Sequence, residues 1–289
     1  MEKKPGLGNA LQPHGKAKRN ETGLSVDSSA PILLLDSGVG GLTVLEETRR
    51  LLPDAPIVYV ADHAALPYGN KSEAQITARV AALLGRLVER YSPRLATIAC
   101  NTASTIALAA VREALELPLV GTVPAIKPAA ALTRTGTIGL LGTAATIRQA
   151  YVDNLEREFA SDKVLLRHAA PDLVQAAEAK LRGEPLDPSV FKAAADGLRS
   201  QPGGSDIDVV VLACTHFPLL EEELTGAFGS GVHFVDGAAG IARRIAWLTQ
   251  GQQFNRSEPD IAVVTGQNGS LDKLRPALIQ YGLERIQHL

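Results

Sequence analysis

Pro31-Ile32-Leu33-Leu34-Leu35-Asp36-Ser37-Gly38-Val39-Gly40-Gly41-Leu42 opens the folded part of the chain. Four apolar residues in a row, with no polar alternation, read as a strand buried on both faces. The glycine-rich turn behind it leads into a helix expected over 42–52, which Pro53-Asp54 ends. This unit then recurs. Strands are expected over 57–61, 95–99 and 119–122, and helices over 72–90, 103–115 and 124–133. Ser72 can cap its helix, and Ile76, Val80, Leu83, Leu84 and Leu87 repeat at helical spacing. A second run with the same rhythm has strands over 137–141, 164–167, 209–213 and 233–235, with helices over 146–159, 172–182, 187–200 and 218–227. A helix over 240–250, a strand over 261–265 and a helix over 270–281 close the chain. Strands alternating with helices imply an α/β fold with parallel, doubly wound sheets. Such sheets collect binding sites at the carboxyl ends of their strands, where Asp36, Cys100, Thr143 and Cys214 all stand on this reading.

At about 150 residues per domain, 289 residues suggest two domains. The expected division is a flexible extension over 1–30, a first α/β domain from 31–126 plus 238–289, and a second from 127–237. An apolar content of 45% excludes a disordered chain. A formal charge of −2 gives no global electrostatic reason to bind nucleic acid or an anionic membrane. Aromatics at 4% argue against platforms for stacked bases, so no direct nucleic-acid binding is expected. Residues 95–111 carry no charge but include Asn101, Thr102, Ser104 and Thr105, and fall short of the roughly 20 apolar residues of a membrane span. The first 30 residues are polar and lack the apolar core of a signal peptide, and the sparse cysteine usage fits a reducing cytoplasm. Two cysteines without a CxxC spacing make neither a disulfide scaffold nor a zinc site. Gly38, Gly40 and Gly41 do not complete GxGxxG, and no GKS or GKT exists for a phosphate loop.

Residues 97–102, Thr-Ile-Ala-Cys-Asn-Thr, are echoed by residues 211–216, Val-Leu-Ala-Cys-Thr-His. Each is an apolar strand, then Ala-Cys, two polar residues and a helix. Two similar domains, each presenting one cysteine at a strand end, set Cys100 and Cys214 facing one another across a cleft. A thiolate opposite a thiol is a base and an acid on two faces of one carbon, a pair that inverts a stereocentre. The helix start behind each cysteine favours its thiolate. His216 is the candidate proton relay for Cys214, and Asp36 for Cys100. The plainer reading of each cysteine is a small buried hydrophobe. Ser37, Asn101, Thr102, Ser104, Thr143 and Thr215 supply hydroxyl and amide donors suited to a small dicarboxylic amino acid, with Asp36 for its ammonium group. The plainer role of each hydroxyl is helix capping. Pro67-Tyr68-Gly69 reads either as an ordinary turn or as a hydroxyl-bearing lid.

Four motifs together, Asp36-Ser37-Gly38-Val39-Gly40-Gly41-Leu42, Pro67-Tyr68-Gly69, Cys100-Asn101-Thr102-Ala103-Ser104 and Cys214-Thr215-His216-Phe217-Pro218, closely resemble those of the glutamate racemases in the cofactor-independent aspartate/glutamate racemase superfamily. The resemblance covers roughly residues 31–248. It implies two catalytic cysteines at Cys100 and Cys214, substrate-binding pairs at Asp36-Ser37, Tyr68-Gly69, Asn101-Thr102 and Thr215-His216, and an assisting glutamate at Glu178. The plainer reading of Glu178 is a solvated helix residue. Ala213 departs from the family's usual glycine by one methyl group. The resemblance further implies interconversion of L-glutamate and D-glutamate without cofactor or metal, D-glutamate for peptidoglycan, a homodimer, and activation by UDP-N-acetylmuramoyl-L-alanine. A DNA gyrase partner, reported for some of these enzymes, has no signal here. The competing readings are an aspartate racemase, and a redox or binding protein built on the cysteine pair.

Overall fold

The structure, a computed structural model, describes residues 27–266 and 268–289. The expected flexible extension therefore lies outside the described residues up to residue 26. Residues 27–30 are held in place: the Arg94 guanidinium donates to the carbonyls of Asp27, Ser28 and Ala30.

In chain order the first half contains β1 (Ile32–Asp36), α1 (Leu42–Leu51), β2 (Ile57–Ala61), α2 (Glu73–Tyr91), β3 (Leu95–Ile98), α3 (Asn101–Ala114), β4 (Leu119–Gly121) and α4 (Ile126–Leu132). Then follow β5 (Thr137–Gly142), α5 (Ala144–Ile147), α6 (Ala150–Phe159), β6 (Val164–Ala169), α7 (Asp172–Leu181) and α8 (Pro188–Arg199). The chain closes with β7 (Val209–Ala213), α9 (Glu221–Phe228), β8 (His233–Val235), α10 (Ala238–Leu248), β9 (Ile261–Val264), α11 (Asn268–Gln280) and β10 (Arg285–His288).

These strands form two wholly parallel sheets, in the orders β10-β9-β2-β1-β3-β4 and β6-β5-β7-β8. The order β4-β3-β1-β2 of the larger sheet reappears as β8-β7-β5-β6 in the smaller. The sequence echo is thus an architectural one, since Cys100 follows β3 and Cys214 follows the equivalent β7. In each sheet the strand order reverses beside the first strand, and crevices form at such reversals.

Successive side chains of a strand point to opposite faces, so a strand covered on both sides must be apolar throughout. β1 obeys this. Ile32 and Leu34 pack with Leu42 and Leu45 of α1 and Ile241 and Ile245 of α10. Leu33 and Leu35 pack with Ile76 and Val80 of α2 and Ala103 and Ala107 of α3. In the smaller sheet, Val210 and Leu212 meet Leu173 of α7 and Phe191 of α8, whereas Val209 and Val211 meet Ile126 of α4 and Val152 of α6. β6 is an edge strand, and its Val164 is exposed.

Several expected boundaries move. The helix expected over 146–159 is two helices. Thr143 accepts the Thr146 amide and starts one short turn, and the extended backbone of Gln149 then starts α6. The helix expected from 218 begins as a single 3-10 turn over Phe217–Leu220, where Pro218 lacks the amide needed to continue a ladder backwards. The helix expected from 103 starts at Asn101, so Cys100 itself is the N-cap. β10 was not expected, because Arg285-Ile286-Gln287-His288 carries too little apolar signal, yet it adds to the sheet edge beside β9. Among the described residues no helix is long and apolar enough to cross a membrane.

Candidate active site

The glycine turn after β1 is the seam between the two halves. A Cβ on Gly38 would lie 2.2 Å from Glu178 Oε1, and one on Gly40 would lie 2.6 Å from the backbone nitrogen of His216. Only bare backbone lets the halves meet so closely.

Across that seam the structure gathers the expected residues. Asp36 is buried and accepts from the Gly38 amide at 2.9 Å, the Ser37 hydroxyl at 3.3 Å and the Thr215 hydroxyl at 2.8 Å. Burial raises the Asp36 carboxyl above its usual value, against the pull of His216 and of the Gly38 and Thr215 hydrogen bonds. Glu178, 0% exposed, is no solvated helix residue. Its Oε1 accepts from the Val39 amide at 2.9 Å and meets His216 Nε2 at 3.1 Å, and its Oε2 meets His63 Nε2 at 3.1 Å. Burial pushes its carboxyl up, but hydrogen bonds from His216 and His63 win and hold it well below the carboxylate range. His216 in turn lies 3.9 Å from Cys214 Sγ through Nδ1. Burial opposes its charge, yet Cys214 and Glu178 on either side raise it well above the usual imidazole value. The result is a line of hydrogen-bonding groups, Cys214–His216–Glu178, charged at its centre.

Cys100 has a different setting. It is 6% exposed, and burial together with the Asp36 charge pushes its thiol up to about 12. Cys214 is 7% exposed. Both cysteines are free.

Thr102, Thr143 and Thr146 form a triangle of hydroxyls 3.0–3.1 Å apart that joins α3 to the end of β5. Gly69 packs on Thr143, where a Cβ would lie 3.0 Å from the threonine Cβ. The Oδ1 of buried Asn101 has no partner. Two candidates are corrected in role. Tyr68 is not a free lid, because it is buried and its hydroxyl donates to Asp62 at 2.7 Å. Ser104 is committed to structure: it donates to the Ile98 carbonyl at 2.8 Å and accepts the Thr122 amide at 3.0 Å. Sequence reasoning missed Asp62, His63 and Thr146. Asp62-His63 directly follows β2, at the same strand-end position that drew attention to Asp36-Ser37, and was legible by that rule. Asp62 accepts from Tyr68, from Thr265 and from Arg79 through two nitrogens at 2.6 and 2.9 Å, so it fixes the turn carrying Tyr68 and Gly69. Among the described residues no cluster of metal-ligating side chains occurs.

Two buried thiols in different electrostatic settings, beside a carboxylate and a ring of hydroxyls, define a site for moving protons on a small polar molecule. The sequence pattern of the Asp/Glu/Hydantoin racemase family matches residues 43–245. The glutamate racemase of Sphingopyxis alaskensis is 62% identical over 259 residues, covering 89% of this chain and 97% of that protein. The crystal structure of Escherichia coli glutamate racemase, in complex with L-glutamate and the activator UDP-MurNAc-Ala, superposes with a TM-score of 0.84 at 42% identity, over 90% of this chain and 98% of that one. A glutamate racemase isoform from Bacillus anthracis gives 0.77 at 29% identity, over 91% and 98%. The chain belongs to the Asp/Glu/Hydantoin racemase family. Within it the chain stands among the glutamate racemases, and its chemistry is that of an isomerase.

Proposed function

We propose that the chain racemises glutamate by a two-base 1,1-proton transfer between Cys214 and Cys100. The observation that carries this reading is the asymmetry of two equivalent cysteines, one paired with His216 and the other held as a thiol near 12. Cys214, as thiolate beside the His216 imidazolium, takes the Cα proton of L-glutamate. The Cys100 thiol then delivers its proton to the opposite face of the carbanion, giving D-glutamate. The reverse reaction runs from Cys100 to Cys214, and the protein returns to its starting protonation state between turnovers. Positioned acid–base groups of this kind supply roughly 10²–10⁴-fold in rate.

Asp36 takes the substrate ammonium group. Ser37, Asn101, Thr102, Thr143, Thr215 and the first-turn amides of α3 hold its carboxylates, and Tyr68 and Gly69 close the wall on Thr143. Aspartate, one methylene shorter, is the discriminating competitor. The product serves peptidoglycan synthesis in the cytoplasm, and the working form is a homodimer.

The lining of one cavity suits an activator of the kind bound by the Escherichia coli relative. This cavity of about 590 Å³ lies where α4, α6 and α10 meet, and shares Thr122, Asp236, Gly237 and Ile241 with a small cavity lined by Cys214. Lys127, Arg243 and Arg244 offer cations for a diphosphate, and Tyr151 and Phe159 offer aromatic faces.

The test follows optical activity of L-glutamate and of L-aspartate in D₂O, with and without UDP-N-acetylmuramoyl-L-alanine. Loss of the glutamate signal with deuterium at Cα is expected, together with its abolition in Cys100→Ala and Cys214→Ala. Full-rate racemisation by either variant refutes the two-thiol scheme, and turnover of aspartate alone refutes the substrate.

A further inference from the structure

His63 enters no step above, yet it touches the relay. It stands at the end of β2, in the half of the molecule built on the larger sheet, whereas Glu178 and His216 belong to the half built on the smaller. Its side chain is 10% exposed, its Nε2 lies 3.1 Å from Glu178 Oε2, and its buried Nδ1 has no partner. A carboxylate accepts only, so the ring donates its Nε2 proton.

The other neighbour of Glu178 Oε2 is Arg182, the C-cap of the same helix, with Nη1 at 3.6 Å and a second, closer pairing to Glu184 at 3.0 Å. Arg182 travels with Glu178 wherever α7 goes, and its charge draws the carboxylate toward its own side. His63 pulls from the opposite half, as does the Val39 amide on Oε1. The carboxylate is thus held at both oxygens from across the seam, with Oε1 turned to His216.

Resting on the two-thiol reading, we propose that His63 is a positioning residue for proton transfer at Cys214: by donating to Glu178 Oε2 it keeps Oε1 on His216, and it completes this relay only when the two halves are closed. Opening the seam removes His63 and the Val39 amide together and leaves the carboxylate to Arg182.

The experiment compares wild type, His63→Ala, His63→Leu and His63→Gln, with Cys214→Ala as the reference. The readouts are kcat, KM, melting temperature, and the α-deuterium isotope effect on kcat/KM for each enantiomer. Loss of a group that orients another commonly costs 10–100-fold. A fall of about tenfold in kcat is expected for the two variants without a donor, with KM changed much less. The step at Cys214 becomes more rate-limiting, so the isotope effect rises for L-glutamate and falls for D-glutamate. His63→Gln, whose amide can donate to the same oxygen, recovers most of the rate. A fall in kcat with both isotope effects unchanged, unaltered kinetics, or failure of both donor-less variants to fold makes His63 purely structural and overturns the proposal. Activity surviving in Cys214→Ala overturns the underlying two-thiol reading, and this inference with it.

Discussion

Two cysteines with the same local sequence context carry opposite electrostatic neighbours. Asp36 bears on Cys100, and the His216 imidazolium bears on Cys214. A free thiol ordinarily titrates near 8.5. With its thiol pushed up to about 12, Cys100 is a proton donor at neutral pH in the closed protein. Its alkylation should therefore be slow and still climbing at pH 10. Iodoacetamide labelling of Cys214→Ala, in which Cys100 is the sole cysteine, checks this. A labelling rate that levels off near pH 8.5 would contradict the assigned setting. At this scale the sequence was generous with identity and poor with state. Position at a strand end marked Asp36, Cys100, Thr143 and Cys214. Nothing in a linear chain foretells that Asp36 faces Thr215 from 179 residues away, or that the Tyr68 hydroxyl is spent on Asp62. Those outcomes depend on which halves meet.

At the scale of elements, the legible features were those fixed by local chemistry. Apolar runs gave β1, β2 and β7, and Ser72 with Gln75 forms the reciprocal cap that starts α2. Elements fixed by tertiary pairing were not legible. β10 exists because β9 offers it an edge, and the break between α5 and α6 exists because Thr143 and Thr146 turn toward Thr102. The glycine turn before α1 is the element most exposed to substitution. In Gly40→Ala the new methyl meets the His216 backbone nitrogen and the Thr215 hydroxyl, each at 2.6 Å, and backbone cannot step aside. The seam must widen, which weakens the Thr215–Asp36 and Val39–Glu178 hydrogen bonds. A loss of about 1–3 kcal/mol in stability is expected, with at least tenfold lower activity. Gly85→Ala in α2 is the control. Its methyl has open space, and a helix-interior alanine is favoured by roughly 0.5–1 kcal/mol. Urea unfolding of both variants separates the two outcomes. Equal stabilities would show that the seam tolerates the methyl group.

At the scale of the whole molecule, the His216–Glu178 pair ties stability to pH from both sides. The Glu178 carboxyl is held below its unfolded value, so its contribution is present above about pH 4.3 and is lost as pH falls. His216 is held above its unfolded value, so its contribution is complete below about pH 6.5 and is lost as pH climbs through the folded value. The pair therefore contributes most between about pH 4.3 and 6.5. Glu178→Gln leaves a buried imidazole without its counter-charge, and breaking a buried pair in this way costs about 3 kcal/mol. Urea midpoints of wild type and variant at pH 3.5, 5.5 and 8.5 should differ most at the middle value. Asp36, whose carboxyl burial raises, acts in the opposite sense, and loss of the Glu178 charge in the variant relieves part of what raises it.

The contact between the Thr215 hydroxyl and Asp36 has one more consequence. That carboxylate is the one assigned to the substrate ammonium group, and one of its oxygens is already taken by the Thr215 hydroxyl at 2.8 Å. The closed form is thus its own competitor for glutamate. Apparent affinity is the intrinsic affinity reduced by the fraction of molecules that stand open. A substitution on the seam that never touches the amino acid can tighten or loosen binding simply by changing how often the two halves part.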